Sequence, residues 1–128
     1  MKIEVSIGEI VDKVTILEIK TEKIKNVEKL KNVINEYELL KKDMRSLGIS
    51  IDSAEFKCLK EVNLKLWQIE DKIRIKEYQK EFDDKFIQLA RSVYFENDTR
   101  SATKKEINLK YGSDLIEEKE YIDYKNKN

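Results

Sequence analysis

The chain has no histidine and no proline, one cysteine, and three glycines among its 128 residues. Each shortage closes something off. Without histidine, the commonest general base and the commonest metal ligand are both missing. A lone Cys58 cannot close an intrachain disulfide, so a secreted disulfide scaffold is excluded. With no histidine and one thiol, a structural zinc site is excluded as well. Oxygen-ligated Mg²⁺ or Ca²⁺ stays open because carboxylates abound, but no cofactor is expected. There is no glycine-rich phosphate loop, no G-x-S-x-G elbow and no Ser-His-Asp set. No stretch approaches the ~20 uninterrupted apolar residues of a membrane span, and Met1 to Ser6 lacks the apolar core of a signal peptide. The expectation is a cytoplasmic protein without membrane contact.

Charge is what the sequence has in quantity. Charged residues make up 41% of the chain, and 26 basic side chains are cancelled by 26 acidic ones. That balance lacks the basic field that drives sequence-independent nucleic-acid binding, and it suits helical surfaces laced with i,i+4 ion pairs.

The apolar residues recur at helical spacing. Lys2 to Ile7 alternates and reads as a short extended arm. Ser6-Ile7-Gly8-Glu9 then matches a capping box, followed by a first helix whose seam is Ile10, Val14, Leu17, Thr21 and Ile24. Asn26 suits the cap of a second helix, with Val27, Leu30, Val33, Ile34, Tyr37, Leu40, Met44 and Leu47 forming a broad apolar face. Gly48 fits the left-handed position that ends it. Asp52-Ser53-Ala54-Glu55 is a second capping-box pattern, opening a third helix that runs to about Tyr78 with Leu59, Val62, Leu66, Ile69 and Ile73 along its seam. A fourth helix starts near Asp83 and either continues to Tyr111 or breaks near Asn97; Gly112 ends it in both cases. Ser113 to Tyr124 carries enough apolar residues for a short docked helix, and residues 125–128 read as a frayed polar tail. Short loops between consecutive helices favour antiparallel neighbours. The expected architecture is therefore all-α: one domain over residues 1–124, an antiparallel bundle of about four long helices with coiled-coil-style crossings, an extended N-terminal arm and a short C-terminal helix.

One anomaly stands in the fourth helix. Continued beyond Phe86, Leu89 and Val93, its seam reaches Asn97, Arg100 and Lys104 before Ile107 restores it. Burying an amide and two cations without partners costs several kcal/mol, so a continuous helix demands that they be paired, wet or bound to an anion. Arg91, Tyr94, Asp98 and Asn108 lie on neighbouring turns. One reading is a polar pocket between the fourth and first helices in which Arg100 and Lys104, with Arg91, hold a carboxylate or phosphate. The other is a helix break at Asn97-Asp98 followed by a solvated turn.

The remaining constellations read as structure. Glu9 with Asp12, Glu70-Asp71 and Glu117-Glu118 resemble carboxylate pairs that hold Mg²⁺ in helical pyrophosphatases, but their order differs and solvated faces or caps account for them. Arg100, Lys104, Lys105 and Lys110 make a basic patch followed at once by acidic residues, which points to neutralisation within the protein; no aromatic platform is interleaved for RNA. Cys58 reads as a buried structural thiol, and Trp67 as core or interface.

Four blocks carry a family resemblance. They are Val5-Ser6-Ile7-Gly8-Glu9-Ile10-Val11-Asp12-Lys13 running into Thr15-Ile16-Leu17-Glu18-Ile19-Lys20; Leu66-Trp67-Gln68-Ile69-Glu70-Asp71; Phe82-Asp83 through Leu89-Ala90-Arg91-Ser92-Val93-Tyr94 to Asn97-Asp98-Thr99-Arg100; and Lys105-Glu106-Ile107-Asn108 with Gly112-Ser113 and Glu117-Glu118-Lys119. Their order and spacing resemble a family of small bacterial and phage proteins known as domain of unknown function 6165. The resemblance implies a compact helical protein and transfers no activity, substrate or cofactor. It includes Arg91, Tyr94, Asn97, Asp98, Arg100 and Asn108 as polar positions, which brings a defined polar site level with the solvated turn and leaves both readings open.

Two functions follow as expectations. The first is a non-enzymatic helical protein acting through a partner protein or its own homodimer. The second is a small all-α enzyme or binding protein that recognises an anionic metabolite with cations between helices.

Overall fold

The computed structural model describes residues 1–125 and contains four helices and no strand among them. α1 spans Ile7–Lys23, α2 Val27–Ser46, α3 Ala54–Gln79 and α4 Asp84–Lys110. None of these helices is long and apolar enough to cross a membrane.

Each helix starts where a small polar side chain satisfies an otherwise unpaired backbone N–H. Ser6 Oγ accepts from Glu9 N–H at 3.2 Å, Asn26 Oδ1 from Lys29 at 3.0 Å and Asp83 Oδ1 from Phe86 at 3.0 Å. At α3 the cap is Ser53, whose hydroxyl accepts from Phe56 N–H at 3.2 Å, one residue later than a box opening at Asp52 would place it. Gly48 and Gly112 take left-handed φ values of 82° and 66° and end α2 and α4. α3 stops without a glycine. Lys80 itself turns left-handed at φ 58°, and Glu81 N–H closes onto Lys76 O at 3.0 Å.

Gly8, unlike Gly48 and Gly112, ends no helix. It lies in the first turn of α1, where a Cβ would sit 2.6 Å from the Lys104 carbonyl oxygen. Its missing side chain lets the backbones of α1 and α4 meet, and its N–H donates to Asn108 Oδ1 at 2.6 Å.

α1 packs on all three other helices, and α3 and α4 fold back on each other as an antiparallel hairpin. The core gathers Val11 and Val14 of α1, Met44 of α2, Phe56 and Leu59 of α3 and Ile107 of α4; Ile49, from the α2–α3 connection, plugs it at 1% exposure. The broad face expected of α2 is used sparingly. Met44 is buried, whereas Val27, Ile34 and Leu47 stay exposed.

α3 and α4 are each about 40 Å long, and α1, at 17 residues, covers one end of the pair. From Leu64 to Ala102 no residue is buried. The half of the hairpin beyond α1 therefore has no third helix over it.

Ser113 to Tyr124 forms no helix; the segment runs extended from Gly112 back alongside α4. Four of its five apolar residues come in two pairs, Leu115-Ile116 and Tyr121-Ile122, and these and Tyr124 all stay exposed, so no buried stripe offsets the cost of nucleating a short helix. Ser113 Oγ also donates to Leu115 O at 2.6 Å, a local bond that competes with helix formation. Of the expected frayed tail, Lys125 stands exposed in a turn, and 126–128 lie outside the described residues.

The close contact at Gly8 sets an expected ranking. Gly8→Ala should lower the unfolding free energy by about 3 kcal/mol, since backbone must move. Gly48→Ala, with open space around it, should lose about 1 kcal/mol from its φ alone. Urea denaturation measures both, and equal losses would contradict the α1–α4 contact.

Candidate functional site

α4 runs unbroken through Asn97, and the seam's polar residues do turn inward. They meet a carboxylate. Asp12 of α1 is 1% exposed, and its two oxygens take Arg100 Nε at 3.0 Å and Arg100 Nη2 at 2.5 Å, a bidentate pair. Asp12 Oδ1 also accepts from Asn63 Nδ2 of α3 at 2.8 Å, and the same Nδ2 reaches Thr15 Oγ1 at 2.8 Å. Arg100 Nη1 donates to Asn97 Oδ1 at 3.3 Å. Three helices thus share one buried charge.

Lys104, one turn on, is 8% exposed. Its ammonium lies 2.8 Å from Glu9, 3.2 Å from Glu117 and 3.8 Å from Asp12. Two cations are therefore met by three carboxylates of the chain itself. Among the described residues no buried side-chain nitrogen or oxygen lacks a partner.

The electrostatics follow from this pairing. The Asp12 hydrogen bond holds the Arg100 guanidinium above its ordinary range. Burial works against charge on Lys104, yet Glu9, Asp12 and Glu117 together raise it above a usual lysine. Lys104 in turn pulls Glu117 below the usual glutamate range. A raised lysine contributes stability that is lost only as the solution becomes strongly alkaline, and a lowered glutamate contributes stability lost only on acidification. Around neutrality Arg100, Lys104 and Glu117 stay charged.

The other candidate residues lie apart from this pair. Asn108, 2% exposed, belongs to the Gly8 contact. Asp98 accepts from the Tyr124 hydroxyl, whose pKa that carboxylate pushes up to about 12. Tyr94 meets Phe95 and Tyr124 edge-on, with ring centroids 4.9 and 5.1 Å away. Arg91 is exposed, its guanidinium 5.5 Å from the Phe95 ring centre, and does not join Arg100 and Lys104. Cys58 is exposed, contrary to the buried thiol expected.

Asp12, Glu9, Asn63 and Glu117 complete the network and were not among the sequence candidates. Glu9 and Asp12 had read as a solvated pair or cap, and Asp12 is the most buried carboxylate in the network. A signal for it existed. Gly8, Asp12, Thr15 and Ile19 fall at spacings of four, three and four, an inner stripe beside the seam, and all four are buried.

Beside the network a cleft of about 390 Å³ opens between α1, α3 and α4. Ile16, Ile19, Leu66 and Trp67 form its apolar wall, and Glu70, Asp71, Arg74, Asn97 and Arg100 its polar rim. Among the described residues no cluster of His, Cys, Asp or Glu is arranged to hold a metal ion.

Fold and site together define a class: a small helical bundle whose inward polar residues are consumed in holding its own helices together. The chain belongs to the family described as "Family of unknown function (DUF6165)", whose model matches residues 1–125. No curated protein and no solved structure matches it. Three of the four blocks that carried the resemblance meet here: Asp12, Ile16 and Ile19 from the first, Leu66, Trp67, Glu70 and Asp71 from the second, and Asn97 with Arg100 from the third.

Arg100→Met should destabilise the fold by about 3 kcal/mol, because Asp12 is left buried without its cation. Adding Asp12→Leu to that variant should recover most of the loss. Chemical denaturation reads both, and a loss under about 1 kcal/mol for Arg100→Met would mark the pair as an ordinary surface bridge.

Proposed function

We propose that this protein is a non-enzymatic interaction module that self-associates through the outer half of the α3–α4 hairpin. The observation that carries this reading is the absence of any buried residue from Leu64 to Ala102, across two long helices rich in apolar side chains. Ile75, Tyr78, Phe82 and Ile87 are 53–88% exposed there, and Ile69, Ile73, Phe86 and Leu89 are half-buried. Helices bury an apolar stripe by packing against another layer, and a two-helix layer leaves such residues wet.

Charge favours a second copy as the covering layer. Between Gln68 and Ser92, lysines and arginines equal aspartates and glutamates in number. A strongly acidic or basic partner would find nothing to attract it, whereas two identical neutral faces meet without repulsion. A two-fold axis would then place hairpin against hairpin as a four-helix layer, the isologous arrangement most homodimers adopt.

The anion-binding alternative meets an obstacle in the geometry. A small anion would have to displace Asp12 from Arg100, or Glu9 from Lys104, and both of these carboxylates are fixed on α1 inside the bundle.

Size-exclusion chromatography with light scattering should find a particle of twice the 15.3 kDa chain mass. Ile87→Glu, at an exposed position, should return it to the monomer while leaving the helical circular dichroism unchanged. A strict monomer for the parent chain, or a dimer indifferent to Ile87→Glu, would overturn the reading.

A further inference from the structure

The C-terminal segment lies on α4 as a peptide ligand would. It contributes no helix and no buried residue. Its contacts with α4 include Glu117 to Lys104 at 3.2 Å, Glu118 to Lys105 at 3.6 Å, and the Tyr124 hydroxyl to Asp98. The Tyr124 ring also stacks edge-on against Tyr94 at 5.1 Å and tilted against Phe95 at 5.6 Å. At the hinge, Gly112 turns left-handed and Ser113 Oγ accepts from Ile7 N–H at 3.0 Å.

These contacts have a chemical logic. The Arg100 to Lys110 stretch of α4 is basic, and the segment after Gly112 carries Asp114, Glu117, Glu118, Glu120 and Asp123. Two glutamates meet two lysines near one end, and an aromatic side chain enters a pair of rings near the other. The fit between these anchors is loose. A space of about 820 Å³ remains between the segment and α4, while Tyr121 and Ile122 stand 75% and 89% exposed over it. Close-packed interiors leave no such volume, and an exposed ion pair such as Lys105–Glu118 is individually weak. The segment is thus held in place by tethering more than by packing.

We propose that this face of α4 is an acceptor for an extended acidic peptide that carries an aromatic residue about seven positions after its first glutamate, and that the chain's own C-terminal segment occupies it in cis. A partner protein presenting such a segment would compete with the tethered one. The tether gives the cis segment an effective concentration in the millimolar range for a short linker, so an incoming peptide must outbind it or fill the space it leaves. This acceptor face does not include Ile75 or Ile87, so it stands or falls apart from self-association.

The test uses the full chain and a fluorescein-labelled peptide of residues 113–125. A variant carrying Glu117→Gln, Glu118→Gln and Tyr124→Ala weakens the cis segment and keeps the receptor face intact. Fluorescence anisotropy should show the peptide binding this variant about tenfold or more tightly than it binds the parent chain, with affinity falling as salt is raised. Adding Lys105→Glu or Tyr94→Ala, both at exposed positions, should remove the binding while circular dichroism stays unchanged. Absence of saturable binding to the triple variant, equal affinity for variant and parent, or indifference to Lys105→Glu and Tyr94→Ala would each overturn the proposal.

Discussion

The architecture depends on one buried carboxylate. Asp12 lies where α1, α3 and α4 converge, and a lone charge there would be untenable. It is made tolerable by a bidentate arginine from α4, an amide from α3 and a lysine one turn further on. Because every partner comes from a different helix or turn, the set fixes the rotation and register of each helix as well as its proximity. Gly8 completes the arrangement one turn earlier, where the absence of a side chain brings the α1 and α4 backbones into contact. Apolar packing of Val11, Val14, Phe56 and Ile107 alone would tolerate some sliding; the polar set does not.

Much of this was legible in the sequence. The caps at Ser6, Asn26 and Asp83 and the left-handed glycines at 48 and 112 mark helix ends by local chemistry, and local chemistry is what a sequence displays. Asn97, Arg100 and Lys104 were visible as interruptions of an apolar seam. Their partners were harder to find, because a carboxylate on a charged helix looks the same whether it faces water or a guanidinium across the bundle. Asp12 is buried by α3 and α4, which lie about fifty and ninety residues away in the chain. Lys80 shows the converse: a left-handed helix end without a glycine to announce it. The C-terminal segment misled because its composition permits a helix, and only its docking on α4 shows that the apolar residues find no face to bury.

The molecule divides into a half that is satisfied and a half that is not. Where α1 covers the hairpin, the buried polar groups are paired and the core side chains are dry. Beyond Trp67 and before Val93, apolar side chains line the two helices with no third helix above them. Folding has little reason to place isoleucine, phenylalanine and tyrosine there unless another surface covers them, and a charge-neutral face suits a copy of itself. The C-terminal segment adds a second, separate opportunity for contact, held by ions and one ring instead of by packing. The inward arginine and lysine are held by the chain's own carboxylates, and the proposal that the protein acts through its surfaces rests on that division.

Hydrogen exchange of the backbone amides at two protein concentrations tests this division most directly. The account requires strong protection of α1 and of α4 around Arg100 to Asn108 at both concentrations. Amides of α3 beyond Glu70 and of α4 before Val93 should be weakly protected when dilute and gain protection when concentrated. Uniform protection along the hairpin regardless of concentration would contradict it, as would rapid exchange at the Asp12–Arg100 junction.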